Sequence, residues 1–131
     1  MGSTIEVVCE ECKYRRVFNI GRNAKKESAY EVLKCYSKDL FTTIKQLDKA
    51  YNMTDYDYGE SICVCKACNN LVNKTILTIK FQDSSDFIPK HFCNKCNSSL
   101  KIIEGPEELM EYNCPNCGDH SLRYINVCNW D

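Results

Sequence analysis

The sequence predicts a small metal-stabilised α+β protein with two four-cysteine sites, short antiparallel β-hairpins and one amphipathic helix. Three observations predict it. The chain of 131 residues carries 11 cysteines, and eight of them fall into four Cys-x-x-Cys pairs: Cys9/Cys12, Cys65/Cys68, Cys93/Cys96 and Cys114/Cys117. Short apolar segments flank each pair. Between the first and second pairs lies one stretch with helical periodicity.

Each Cys-x-x-Cys pair can present two thiolates to one tetrahedral ion, so four pairs make two complete sites. Disulfides are the competing use. Residues 1–20 carry Glu6, Glu10, Glu11, Lys13, Arg15 and Arg16 with no apolar h-region, unlike a secretory signal. An odd number of cysteines also suits a disulfide framework poorly. The expectation is therefore metal-bound thiolates in a reducing, cytoplasmic setting, with no membrane span.

Taken in order, residues 5–20 read as a hairpin with Cys9-Glu-Glu-Cys12 at its turn. Ser28-Ala-Tyr-Glu31 has the spacing of a capping box. Leu33, Tyr36, Leu40, Ile44, Leu47 and Tyr51 then recur every three or four residues. They mark one face of a helix over about 28–51. Asp55-Tyr-Asp-Tyr-Gly59 reads as a turn, and residues 61–64 as a lead into the second pair. Residues 75–81 alternate as a strand does, with Leu77, Ile79 and Phe81 on one side. The polar stretch 82–86 is the expected boundary between two units, 1–82 and 87–131. Beyond it, residues 99–104 and 109–113 around Gly105-Pro106 read as another hairpin, and residues 122–127 as a final strand.

A tight turn around a metal needs a left-handed residue after the second cysteine, which Gly supplies freely and Asn tolerates. Asn69, Asn97 and Gly118 stand at those places, whereas Lys13 fits less well. Spacing pairs the quartets in order. Seventeen residues separate Cys96 from Cys114, inside the usual window, and 52 separate Cys12 from Cys65, enough to admit the helix. The nested alternative joins the second pair to the third, 24 residues apart, and leaves the outer pairs to each other.

Cys114-Pro-Asn-Cys117-Gly118 resembles the Cys-Pro-x-Cys-Gly knuckle of zinc ribbons and rubredoxin. The resemblance covers about residues 90–128, and the first half is similar to a ribbon with a helical insertion. The whole looks like small bacterial double-zinc-ribbon proteins of undefined role. It implies two zinc ribbons holding two Zn2+, with iron the alternative that four sulfurs also suit. It implies a fold and a metal rather than a function.

The remaining cysteines read as packing residues: Cys35 on the helix, Cys63 in a strand (a possible replacement for Cys65 as ligand) and Cys128 near the C-terminus. His91 and His120 flank complete quartets and are not needed as ligands.

Formal net charge is −1, which eight thiolates and two divalent ions take to about −5. That balance argues against indiscriminate nucleic-acid binding. Lys13, Arg15, Arg16, Arg22, Lys25 and Lys26 nevertheless form a run with no acidic residue, interleaved with Tyr14 and Phe18. Phosphate contacts with base stacking use such a surface; a solvated face beside an anionic metal site is the plainer reading. Glu107-Glu108 invites comparison with the acidic pair on the hairpin of transcript-cleavage factors, but the longer signature is absent. No nucleophile–base pair or phosphate loop points to an enzyme. The expected role is a non-enzymatic interaction module contacting nucleic acid or the transcription or translation machinery. A protein–protein adaptor is the first rival and a redox protein cycling iron or a dithiol the second. No small-molecule substrate is expected.

Overall fold

The computed structural model describes residues 2–22, 38–82 and 84–130. The first knuckle joins β1 (Gly2–Cys9) to β2 (Arg15–Arg22). Helix α1 (Lys38–Tyr51) leads into β3 (Met53–Val64), which turns at the second knuckle into β4 (Leu71–Phe81). After the third knuckle come β5 (Lys101–Ile102) and a 3-10 helix (Pro106–Glu111); after the fourth comes β6 (Leu122–Trp130). The strands form one antiparallel sheet in the order β4-β3-β2-β1-β6, with β5 also on β3. No described helix is long and apolar enough to cross a membrane.

Most elements follow local rules. In β1, Ile5, Val7 and Cys9 alternate inward, and Phe18 opposite Ile5 joins them. Helix α1 ends at Tyr51, where Asn52 turns left-handed (φ 59°) and its N–H caps the Asp48 carbonyl at 3.0 Å. The helix face bearing Ile44 packs on Leu77, Ile79 and Phe81. Each of these buried side chains contributes about 1.5–3 kcal/mol. The expected first turns of the helix, with the capping box, Leu33, Cys35 and Tyr36, lie outside the described residues.

Three expectations are corrected. Asp55–Gly59 is not a turn but part of β3, paired in register from Asp55↔Lys80 to Gly59↔Ile76. Alternation explains it: Tyr56 and Tyr58 pack toward α1 and the aspartates face away. The stretch after Gly105 is not a strand. Pro106 opens a 3-10 turn with Glu107 and Glu108 in its first turn and buries Leu109 completely, as Pro at a helix start allows.

Residues 82–86 do not divide the core. β6 pairs along β1 from Cys9↔Leu122 to Gly2↔Trp130, and β5 pairs with β3 at Cys63↔Ile102. Ile103, Leu109 and Leu122 pack in one cluster with Ile5, Val7, Phe18, Ile62 and Leu71. The free edge of β1 needs backbone partners, and the C-terminal strand supplies them.

Candidate metal centres

Strand pairing decides which knuckles meet. The first knuckle caps the β1–β2 hairpin, and the fourth opens into β6 along β1. The second caps the β3–β4 hairpin, and the third leads to β5 along β3. The same plan occurs twice: a Cys-x-x-Cys hairpin tip, then a second pair whose following strand lies antiparallel on the hairpin's first strand.

The quartets are therefore Cys9, Cys12, Cys114 and Cys117, and Cys65, Cys68, Cys93 and Cys96. This is the nested arrangement. The sequential pairing, Cys9/Cys12 with Cys65/Cys68, is corrected, because the edge of β1 carries the fourth knuckle and not the second to the first.

The sulfurs stand at coordination distances. Cys9–Cys117 is 3.6 Å, Cys12–Cys114 3.7 Å, Cys65–Cys96 3.3 Å, Cys68–Cys93 3.6 Å and Cys68–Cys96 3.8 Å. A disulfide requires about 2.05 Å. Four thiolates at about 2.3 Å from a central ion stand about 3.8 Å apart, which these edges approach. Both quartets can hold a metal ion.

Local backbone builds each knuckle. Cys65, Cys93 and Cys114 donate their N–H to the carbonyls of Asn70, Ser98 and Asp119 at 2.8–2.9 Å. Asn69, Asn97 and Gly118 bond back to Cys65, Cys93 and Cys114 at 2.7–2.9 Å. These three residues have φ of 65°, 62° and 80°, the left-handed conformation expected of them. Lys13 is not among the left-handed residues, and its knuckle closes through Cys9 N–H to the Tyr14 carbonyl at 3.1 Å.

Hydrogen bonds converge on the sulfurs. The N–H groups of Glu11, Tyr14, Lys95 and Asn116 reach Cys9, Cys12, Cys93 and Cys114, each at 3.4 Å. Two side chains unread in the sequence join them. Asn116 Nδ2 donates to Cys12 at 3.4 Å, and buried Asn70 donates to Cys93 at 3.7 Å and to Asn94 Oδ1 at 3.5 Å. Position signals both: Asn116 lies inside a knuckle, and Asn70 follows an Asn that alone satisfies the turn.

These donors favour thiolate. The Asn116 side chain and Tyr14 N–H hold Cys12 down to about 7. The Cys96 and Lys95 N–H groups hold Cys93 down to about 6. At Cys68 and Cys117 the N–H groups of Asn70 and Asp119 pull downward, but burial and neighbouring thiols outweigh them and push both up to about 12. Without a cation, then, each quartet resists full ionisation because like charges crowd; a divalent ion removes that resistance.

The other candidates fall outside the quartets. Cys63 is fully buried in β3 and belongs to neither quartet. Burial pushes its thiol up to about 11. Cys128 is exposed on β6. His91 accepts Leu100 N–H on its carbonyl at 2.9 Å, and His120 Nδ1 lies 3.3 Å from Asn113 Oδ1.

The basic segment is split by strand alternation. Lys13, Arg15 and Arg16 are exposed. Arg15 pairs with Glu6 at 3.3 Å, and Arg16 lies 5.5 Å over the Phe18 ring. Phe18 itself is only 1% exposed, so it is a core residue and offers no face to a base. Tyr14 is half-buried, with its Oη enclosed. The Arg22 side chain, Lys25 and Lys26 lie outside the described residues.

Glu108 accepts Lys101 Nζ and Tyr112 Oη, both at 2.9 Å, which makes it a clamp between β5 and the 3-10 helix. Compared with protein-family models, with curated proteins and with solved structures, the chain matches none.

Proposed function

We propose that the chain is a zinc-bound, non-enzymatic interaction module made of two zinc ribbons, one inserted within the other. The observation that carries this reading is the pair of four-sulfur quartets with edges of 3.3–3.8 Å. Four thiolates close a tetrahedral sphere and leave no position for water or substrate, the mark of structural rather than catalytic zinc. Zinc is favoured over iron as the ion for closed thiolate sites in a reducing cytoplasm. Elemental analysis of protein purified without chelator tests it: two zinc ions per chain are expected. One ion or none would defeat the reading, and a red, iron-rich preparation would replace it with a rubredoxin-like one.

A protein partner is favoured over nucleic acid by the outer face of β6, β1 and β2. Cross-strand pairing sets Val17 and Ile125 on either side of Glu6, and they are 58% and 55% exposed. The cations beside them are engaged: Arg15 with Glu6 at 3.3 Å and Arg123 with Glu10 at 2.8 Å. Of the two expected stacking residues, Phe18 is buried and Tyr14 is half-buried. Titration with single- and double-stranded probes at about 0.15 M salt, where the Debye length is about 8 Å, separates the classes. No binding supports the adaptor reading. Binding whose salt dependence has a slope of about −0.7 per phosphate neutralised restores the nucleic-acid one.

A further inference from the structure

A cleft of about 870 Å³ lies apart from the metal centres, and none of the eight quartet cysteines lines it. It lies over the end of the sheet where β2 meets β3, and Gly21, Gly59 and Glu60 line it. β1–β2 and β3–β4 are paired along their lengths, whereas the backbone ladder between β2 and β3 consists of Gly21↔Glu60 and Arg22↔Gly59. The floor is the face of β3 and β4 opposite α1, including Ile76 and Thr78; the walls are the ends of β1 and β6 and the chain entering the 3-10 helix. Its volume falls in the range of small-molecule sites, about 300–1,000 Å³.

One wall is a fixed aromatic ring. A Cβ on Gly2 would lie 2.5 Å from the Trp130 ring and 2.4 Å from the Ile20 carbonyl oxygen. The missing side chain of Gly2 thus seats the indole at the mouth of the cleft. Among the described residues, Asp57, Glu60, Asp86 and Glu104 line the cleft with one cation, Lys80. Lys80 lies 3.5 Å from Asp57, and Glu60 accepts the Thr75 hydroxyl at 2.8 Å. Asp86 and Glu104 are exposed at its rim. These carboxylates disfavour phosphates and other anions, and an indole in the same lining attracts an ammonium group.

We infer that this cleft binds a small organic cation of the polyamine type, with its several ammonium groups shared among the Trp130 ring and the carboxylates of Asp86 and Glu104, and the alkyl stem along Ile76. Such a molecule would be a ligand rather than a substrate, and its binding does not depend on the metal being zinc.

Trp130 is the only tryptophan in the chain, so its fluorescence reports the cleft directly. Metal-loaded protein is titrated with spermidine at constant ionic strength, with Mg2+, glucose and tripolyphosphate as comparison probes. A saturable change with spermidine alone is expected. The double variant Asp86→Asn/Glu104→Gln, at surface positions, should weaken it about tenfold or more, as loss of charge-assisted contacts does. Trp130→Leu, followed by calorimetry, should weaken it by roughly 2- to 30-fold. No saturable response to spermidine, an equal response to Mg2+ or glucose, or undiminished binding by a double variant with intact metal content and circular dichroism would overturn the inference.

Discussion

Replacing Gly118 isolates one backbone angle in the fourth knuckle. Its φ is 80°, its N–H bonds to the Cys114 carbonyl at 2.9 Å, and a Cβ there would meet no heavy atom within 4 Å. Gly118→Ala therefore introduces no clash with a neighbour and tests conformation alone. Forcing an L-residue into the left-handed region costs about 1–2 kcal/mol. The stiffer unfolded chain offsets about 0.4–1 kcal/mol of that. The net loss is about 1 kcal/mol, a fall of about 3–4 °C in Tm for a chain of this length and about fivefold weaker metal retention where folding and binding are one process. Asn69 and Asn97 hold the equivalent positions at φ 65° and 62°, so Gly118→Asn should lose less than half as much. The assay is thermal unfolding at fixed free zinc, which must be held constant because bound ligand raises Tm, together with chelator competition. An Ala variant indistinguishable from the parent, or an Asn variant as weak as Ala, would mean that the left-handed angle at residue 118 does not govern the knuckle's stability.

Three further outcomes follow from packing and ionisation. Phe18→Ala, at a fully buried position beside Ile5, should cost about 3–5 kcal/mol in chemical denaturation; a loss under 1 kcal/mol would mean the side chain lies on the surface. Burial raises the Cys63 thiol to about 11, above its unfolded value. Its neutral form thus favours folding below about pH 9, and that contribution is lost as pH rises from about 9 to about 11. Peptide mapping of metal-loaded protein after iodoacetamide at pH 8 should show Cys128 modified and Cys63 untouched, and the reverse order would contradict its placement. The Lys101 ammonium and the Tyr112 hydroxyl hold the Glu108 carboxyl below its ordinary value. Its contribution is present above the unfolded carboxylate range and lost as pH falls through the lowered value. Carboxyl titration by NMR should show Glu108 titrating below the ordinary carboxylate range, and Lys101→Met should move it upward.

Much of the local structure is legible in the sequence, because local chemistry dictates it. Cysteine spacing marks the knuckles. Asn69, Asn97 and Gly118 are left-handed because the turns require it, and Leu77, Ile79 and Phe81 face inward because alternation fixes a strand's face. What was illegible is tertiary. The spacing rule favours joining Cys96 to Cys114 across 17 residues, yet β6 lies on β1 and carries Cys114 and Cys117 to Cys9 and Cys12 across more than 100. Nothing local encodes which free edge a distant strand will satisfy. Within the basic segment, Phe18 was illegible for a different reason. The segment's charges are contiguous in sequence, but a period of two sends neighbouring residues to opposite faces and places Phe18 in the core. The Asp-Tyr-Asp-Tyr stretch looked turn-like by composition, although its alternation was that of a strand with its tyrosines turned toward α1.

Nesting of the two metal sites is open to test by cadmium NMR. Protein loaded with 113Cd should give two cadmium resonances, each coupled through its sulfurs to cysteine Hβ protons. One resonance is expected to correlate with Cys9, Cys12, Cys114 and Cys117, and the other with Cys65, Cys68, Cys93 and Cys96. A single resonance correlating with both Cys9 and Cys65 would mean that the sites are not nested.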